Sequence, residues 1–168
     1  MDATGPPPPK AGVRPSVAVG CIVLGLGGAF LVGLIAAIAI PNYVSMASRA
    51  KRAEVPSTVE AIRTAQLAHQ ASFERFIPCG SELDAHGSIA RSGGKSVRDF
   101  NPEGDPCWDA MGWGPDGQIR GAYWVEVATD GGNFTVTGIS DMDGDGELAT
   151  FVATRESATR IVSPRDAY

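Results

Sequence analysis

The sequence predicts an α+β fold in which a long N-terminal helix, apolar in its first half and amphipathic in its second, packs on a small antiparallel β-sheet. Three observations support this prediction. Residues 17–40 form an uncharged apolar segment, an apolar stripe at helical spacing follows it, and short alternating runs between glycine turns fill the C-terminal part. The 168-residue chain therefore divides into four parts. These parts are residues 1–16, 17–40, 41–77 and 78–168.

Residues 1–16 contain a run of consecutive prolines and few side chains that could build a core. Such segments are extended and well solvated, so we expect a cytoplasmic proline-rich tail or leader that acts as a tether. A docking site for a proline-recognising domain is the alternative, and composition alone does not require it.

Residues 17–40 contain no charged, Asn, Gln, Ser or Thr side chain. At about 1.5 Å of rise per residue, a helix of this length extends about 36 Å, which is enough to cross a bilayer. The run is too long for a cleaved secretory signal and does not end in a small-residue cleavage site. We therefore expect one membrane-spanning helix in contact with lipid.

Small residues recur every four positions in this segment, at Gly25, Ala29, Gly33 and Ala37. Positions four apart share a helix face, so these residues form a stripe along which a second helix could pack closely. The alternative is that membrane helices are simply rich in glycine.

Residues 41–77 continue the helix with an amphipathic pattern. Pro41 removes a backbone donor, which predicts a kink there, and Pro56 predicts a break from which helix resumes after Ser57, with Ser57 and Glu60 as a capping box. Pro78 stops the helix. The expected apolar face consists of Val44, Ala47, Ala50, Val55, Val59, Ile62, Ala65, Ala68 and Phe73.

The three cysteines are unevenly placed, because Cys21 lies in the apolar segment whereas Cys79 and Cys107 flank a polar stretch. Only the last two are expected to pair, and a disulfide would place residues 78–168 in an oxidising compartment outside the cytoplasm. Two unpaired thiols are the alternative. The intervening stretch is rich in Gly, Ser, Asp and Pro, and we predict a surface loop that carries contacts.

Beyond this loop, strands are predicted at residues 122–128, 134–139 and 148–154 because apolar and polar side chains alternate between glycine turns. These strands form an antiparallel meander whose apolar face packs on the amphipathic helix. The three tryptophans, Trp108, Trp113 and Trp124, are expected to be core or interface anchors rather than a ligand cage.

The loop before the third predicted strand, DMDGDGE, places Asp141, Asp143 and Asp145 at alternate positions. Carboxylates at positions one, three and five are the opening of a calcium loop, and Glu147 could add a ligand. Position twelve of an EF-hand would fall on Val152, so the loop is not an EF-hand. The alternative to a Ca²⁺ site is a solvated Asp-Gly turn.

Residues 33–43, GLIAAIAIPNY, followed by RAKRAE at residues 49–54, resemble the N-terminal helix of type IV pilins and type II secretion pseudopilins. The resemblance implies a helix that rests in the bacterial inner membrane before assembly and then packs into the centre of a fibre. It also implies a β-sheet head domain on the second half of the helix. Gly33 and Pro41 match the helix-weakening glycine and proline of that family.

The resemblance therefore predicts a structural subunit of a type IV pilus or pilus-like secretion fibre that serves adhesion, motility or secretion. Expected partners are membrane lipid, other pilin subunits and the pilus assembly machinery, with the head domain periplasmic or extracellular. The alternative is an uncleaved, membrane-anchored pilin-like domain that binds or senses a ligand, such as calcium. This alternative is favoured because the position of the glutamate that guides assembly in the family is occupied here by Leu24.

Neither enzymatic activity nor nucleic-acid binding is expected. His69 and His86 lack the spacing of a zinc motif, and we expect His69 to be an exposed helix residue and His86 to lie in the loop. No nucleophile elbow or phosphate-binding loop occurs. The net charge of −5, without a block of basic residues, argues against a phosphate backbone as partner.

Overall fold

The computed structural model describes residues 15–92, 94–100, 104–164 and 167, and side-chain surroundings are described from Gly27 onward. Most of the predicted tail, residues 1–14, lies outside this range. The chain divides between Val44 and Ser45 into two compact units. The helices and strands are α1 Pro15–Arg52, α2 Glu54–Phe73, α3 Glu82–Ser92, α4 Pro106–Met111, β1 Ala122–Val127, β2 Phe134–Ser140, β3 Ala149–Thr154 and β4 Arg160–Ile161.

The first unit is the greater part of α1. Its large apolar side chains are exposed along the described part of the helix. The helical stretch Gly27–Phe73 includes a span that is long and apolar enough to cross a membrane. Helix α1 continues through Pro41, and a bend at that residue stays a prediction.

In the second unit, α2 begins at Glu54, four residues before the predicted start at Thr58 and directly after a turn at Ala53. Pro56 fits in the first helical turn, where a backbone N–H would have no partner within the helix. Ser57 is therefore not an N-cap. Its hydroxyl donates back to the carbonyl of Glu54 at 2.7 Å. The helix ends at Phe73, ahead of the predicted residue 77, because Glu74 adopts a left-handed conformation with φ of 56°.

The buried face of α2 differs from the predicted one in its C-terminal half. Val55, Val59 and Ile62 are buried as expected, but Ala68 and Phe73 are exposed. The buried stripe continues at steps of four and three through two polar residues, Gln66 and His69. The expectation that His69 is exposed was wrong.

Both polar residues are buried because the chain after α2 folds back and offers backbone partners. The Gln66 side-chain amide donates to the carbonyl of Ile77 at 2.5 Å, and the Ile77 N–H donates to Gln66 Oε1 at 3.1 Å. His69 Nδ1 lies 2.9 Å from the carbonyl of Arg75. These contacts satisfy polar atoms that would otherwise be costly to bury.

The sheet is antiparallel in the order β1-β2-β3-β4. The three predicted strands are confirmed in position and orientation, with Tyr123 opposite Gly138 and Gly138 opposite Phe151. Strand β4 was missed because two residues are too few to produce an alternating pattern. A long helix packed on a small antiparallel sheet confirms the predicted α+β class and is consistent with a pilin-like fold.

The main core lies between α2 and one face of the sheet. Val55 and Val59 pack there with Phe134, Val136 and other buried side chains. Gly138 permits the close approach, because a Cβ at this position would lie 2.5 Å from Val59 Cγ2. Any side chain at residue 138 would therefore force α2 away from the sheet.

A second, smaller core lies on the opposite face of the sheet, under α3. Ala85 and Ile89 of this helix pack with Trp124 and Ile139. The prediction of a loop throughout the stretch from Cys79 to Cys107 was therefore wrong, and His86 lies on α3. The sequence signal was an N-cap serine: the Ser81 Oγ accepts from the backbone N–H of Asp84 at 3.1 Å and donates to the Asp84 carboxylate at 2.6 Å.

Cys79 and Cys107 form the predicted disulfide, with their Cα atoms 5.5 Å apart. Cys79 also exchanges two backbone hydrogen bonds with Val125, and so extends the sheet beyond β1. The other cysteine lies in the first turn of α4, where the N-cap residue Asp105 accepts from the N–H of Cys107 at 3.1 Å. Trp108 and Trp124 are buried core residues, in agreement with their predicted role as anchors.

Glu60 connects α2 to the segment before β4. Its carboxylate accepts hydrogen bonds from the Thr159 N–H at 3.0 Å and the Thr159 hydroxyl at 2.8 Å, and it pairs with Arg63 at 2.8 Å. The bonds from Thr159 are the main cause that lowers the pKa of Glu60 below its ordinary value of 4.5. The ionised carboxylate is thus the form that the fold prefers.

We expect Glu60→Gln to lower the melting temperature at neutral pH, with a difference from the parent that shrinks in acid. Because the folded pKa lies below the unfolded one, this stabilisation is present above pH 4.5 and is lost as pH falls through the folded value. Thermal unfolding of both proteins between about pH 7 and about pH 3 measures the effect. Glu126→Gln, at an exposed position of β1, is the control. A difference that is independent of pH would contradict the assignment.

Candidate metal centre

The acidic loop connects the end of β2 to the start of β3. Asp141 directly follows β2 and is only 6 % exposed. Its carboxylate accepts from the N–H groups of Gly144 at 2.6 Å and Gly146 at 3.2 Å. These two glycines have φ values of 72° and 89°, which the turns of the loop require. Asp141 therefore folds the loop around its own side chain.

The loop brings the three aspartates together. One carboxylate oxygen each of Asp141, Asp143 and Asp145 lies within 4.8 Å of the other two. Glu147 is not part of this group, and its backbone N–H donates to Asp145 Oδ1 at 2.8 Å. The arrangement thus supplies three of the four carboxylates that the sequence pattern suggested.

Electrostatics make Asp143 the unusual member of the group. Its Oδ1 atom is buried and has no hydrogen-bond partner within the described chain. Burial, and then the charge of Asp145, raises the pKa of Asp143 above its ordinary value. A hard cation would provide both the missing partner and the compensating charge, so these residues fit a Ca²⁺ ion. Backbone oxygens and water would have to complete its coordination.

Gly94, which follows α3, lies against Asp141 of the acidic loop, and this contact was not predicted from the sequence. Gly94 has φ of 75° and its N–H donates to the carbonyl of Ile89 at 3.2 Å. A Cβ at Gly94 would overlap the backbone and side chain of Asp141. Gly94 therefore positions Asp141, and the only sequence signal for it is a glycine pair after the α3 segment.

The predicted helix-packing residues Ala29, Gly33 and Ala37 are exposed on α1, and Gly25 lies on the same helix in the part whose surroundings are not described. A Cβ at Gly33 would meet no atom within 4 Å. The stripe is accordingly accessible over its described length.

Comparisons with protein-family models, with curated proteins and with solved structures find no match to this chain. The function therefore has to be argued from the helix, the head domain and the acidic loop.

Proposed function

We propose that this chain is a structural subunit of a type IV pilus or of a pilus-like type II secretion fibre, which assembles through its N-terminal helix for adhesion, motility or secretion. The observation that supports this most is the apolar surface of α1. Between 54 and 72 % of each large apolar side chain is exposed at Phe30, Leu31, Val32, Leu34, Ile35, Ile38 and Ile40. Lipid or neighbouring helices have to cover a surface of this kind.

The same proposal places the chain in the bacterial inner membrane, with the N-terminus in the cytoplasm and the head domain periplasmic or extracellular. The disulfide between Cys79 and Cys107 supports this orientation, because such bonds persist in oxidising compartments. Partners are membrane lipid, further pilin subunits and the assembly machinery. The role is structural rather than enzymatic.

Intact-mass analysis and N-terminal sequencing of the protein from its native membrane test the proposal. Loss of about twenty N-terminal residues, the length expected for a processed leader, would support peptidase processing and assembly. Sheared surface fibres should react with an antibody against the head domain. An intact terminus at Met1 or Asp2, together with fibres that lack the protein, would exclude an ordinary pilin.

We expect Gly33→Leu to weaken self-association of the full chain in lipid vesicles by about fivefold or more, because a larger side chain prevents close approach of two backbones. Energy transfer between labelled copies measures the association. Ile38→Leu conserves volume at an exposed position of the same helix and is the control. Equal association of the two variants would mean that the small-residue stripe is not the packing surface.

The second candidate function is an uncleaved, membrane-anchored domain that binds or senses Ca²⁺ outside the cytoplasm. The observation that favours it is the convergence of Asp141, Asp143 and Asp145, with one buried carboxylate oxygen that has no hydrogen-bond partner among the described residues. A calcium-binding head is also compatible with a fibre subunit, so the N-terminal analysis separates the two functions.

We expect calcium titration of the full chain to release or absorb measurable heat and to raise the melting temperature of the head. At a calcium concentration of 100 times Kd the stabilisation is about 2.7 kcal/mol. Asp143→Asn should weaken binding at least about tenfold because one ligand charge is lost. Since the pKa of Asp143 is raised, binding should also weaken as the solution is acidified.

Asp130→Asn is the matched control for this titration. Asp130 lies in the turn between β1 and β2, where its carboxylate accepts from the N–H of Gly132 at 2.9 Å. This substitution should leave calcium binding unchanged. A titration without heat and without a change in melting temperature would eliminate the metal site.

A further inference from the structure

The head domain contains a cleft of about 510 Å³ between α3, the first turn of α4 and the start of β1. It borders the small core under α3, because Ala85 both lines the cleft and packs in the cluster with Trp124, and the acidic loop does not contribute to its lining. Pockets that hold small molecules have volumes of roughly 300–1,000 Å³. Because the cleft lies entirely within the second unit, its capacity to hold a ligand does not depend on assembly of the chain into a fibre.

One wall of the cleft is aromatic and apolar. Phe100 and Trp108 meet edge to face with ring centroids 5.1 Å apart, and Ile119 and Ala122 continue the surface. Trp108 is buried, whereas Phe100 is half-buried. This wall offers an apolar ligand group two ring edges or faces to pack against.

Arg98, a half-buried arginine, also lines the cleft. Its backbone is held by a pair of hydrogen bonds with Ile119, each 2.8 Å long. Its guanidinium donates to the Gly121 carbonyl at 2.6 Å and to the Ser92 hydroxyl at 3.2 Å. Both acceptors are neutral, and Arg98 forms no ion pair with any residue that the structure describes.

Among the residues that the structure describes, no carboxylate forms an ion pair with the Arg98 guanidinium. Burial lowers the pKa of the guanidinium, and Arg91, which also lines the cleft, lowers it further. Tyr123 and Glu54 act in the opposite direction, but the Glu54 carboxylate is already bound to the backbone N–H of Arg120 at 2.8 Å. A desolvated cation without a carboxylate beside it attracts an anion.

Three aspartates line the cleft, and each is engaged by local donors. Asp84 accepts from the Ser81 hydroxyl at 2.6 Å, and Asp99 accepts from the Gln118 amide at 3.1 Å. Asp105 accepts from two backbone N–H groups, those of Gly80 and Cys107. Asp84 and Asp99 are exposed, so they add negative charge at the rim. This charge disfavours phosphate dianions and leaves a monoanion as the better match.

We propose that this cleft binds a small organic monocarboxylate, whose carboxylate is held by the Arg98 guanidinium and whose apolar body packs on Phe100 and Trp108. The half-buried Ser88 hydroxyl, on the same wall as Arg91, is a further donor for the ligand. The same chemistry is available from a free acid and from the C-terminal carboxylate of a peptide.

Calorimetric titration of the full chain in phosphatidylcholine nanodiscs tests the proposal with phenylacetate, its neutral analogue phenylacetamide, and acetate. We expect phenylacetate to bind, and both other compounds to bind at least about tenfold more weakly, because each lacks one of the two matched groups. N-acetyl-glycyl-phenylalanine tests the second source. Tighter binding of this dipeptide than of phenylacetate would support carboxylate recognition and would identify the C-terminus of a peptide as the source of the carboxylate.

Arg98→Met should reduce the affinity for phenylacetate at least about tenfold, whereas Arg155→Met should not change it. Arg155 is the matched control because its guanidinium also donates to a backbone carbonyl, that of Gly132 at 2.9 Å, on a surface outside the cleft. Trp108→Phe should abolish the change in tryptophan fluorescence on binding, since Trp113 and Trp124 do not line the cleft.

The comparison of acid and amide uses the parent protein, so it remains decisive if Arg98→Met does not fold. Equal affinity for phenylacetate and phenylacetamide would overturn the proposal. The absence of binding by phenylacetate up to about 10 mM would overturn it as well.

Discussion

Replacing Cys79 and Cys107 together by alanine is expected to lower the free energy of unfolding of the head domain by about 3–4 kcal/mol and its melting temperature by about 10 °C or more. The two cysteines are 28 positions apart, so the disulfide removes much conformational freedom from the unfolded chain. It also joins the residue that extends the sheet edge at Val125 to the first turn of α4.

Thermal unfolding of the full chain in nanodiscs, followed by tryptophan fluorescence, measures this effect, because all three tryptophans lie in the head domain. Reductant should destabilise the parent to a similar extent and leave the double variant unchanged. Cys21→Ala is the control, since Cys21 lies on α1 and takes no part in the disulfide. An unchanged melting temperature in the double variant would show that the disulfide contributes nothing to stability.

Gln66→Leu is expected to destabilise the head domain by about 2–4 kcal/mol. Leucine has a similar volume and would fill the fully buried position, but it cannot pair with the backbone of Ile77. Both the N–H and the carbonyl of Ile77 would lose the partner that the structure gives them. The decrease in the free energy of unfolding therefore reports the cost of unsatisfied polar groups rather than the cost of a cavity.

The matched control is Gln70→Leu, one turn further along the same helix at a half-buried position. We expect its effect to stay within about 0.5 kcal/mol. Chemical unfolding of both variants, with equal dependence on denaturant, gives the two free energies. If Gln66→Leu were as stable as the parent, the bonds to Ile77 would not be what stabilises the turn after α2.

Much of the fold could be predicted from local signals. The apolar run at residues 17–40 predicts a membrane helix because its length matches a bilayer, and alternation at period two predicts β1, β2 and β3. The cysteines that pair were predicted from their placement. In each case the signal lies in neighbouring residues or in the spacing along the chain.

The candidate sites, too, were predicted from the sequence only in part. The spacing of Asp141, Asp143 and Asp145 in a glycine-rich loop predicts that their carboxylates converge. Only the tertiary structure shows that Asp143 has a buried oxygen with no partner among the described residues, and that Gly94 lies against Asp141. The carboxylate cleft had no sequence signal, because Arg98, Phe100 and Trp108 come from separate segments.

The sequence by itself thus determined the apolar helix, the three main strands, the disulfide pair and the acidic turn, since each has a signal in a local pattern, in a period or in the placement of the cysteines along the chain. Only the tertiary structure decided the burial of Gln66 and His69, the position of α3 under the sheet and the environment of Arg98. These features depend on which polar groups and surfaces distant segments bring together. A buried amide or guanidinium is tolerated only where such partners exist.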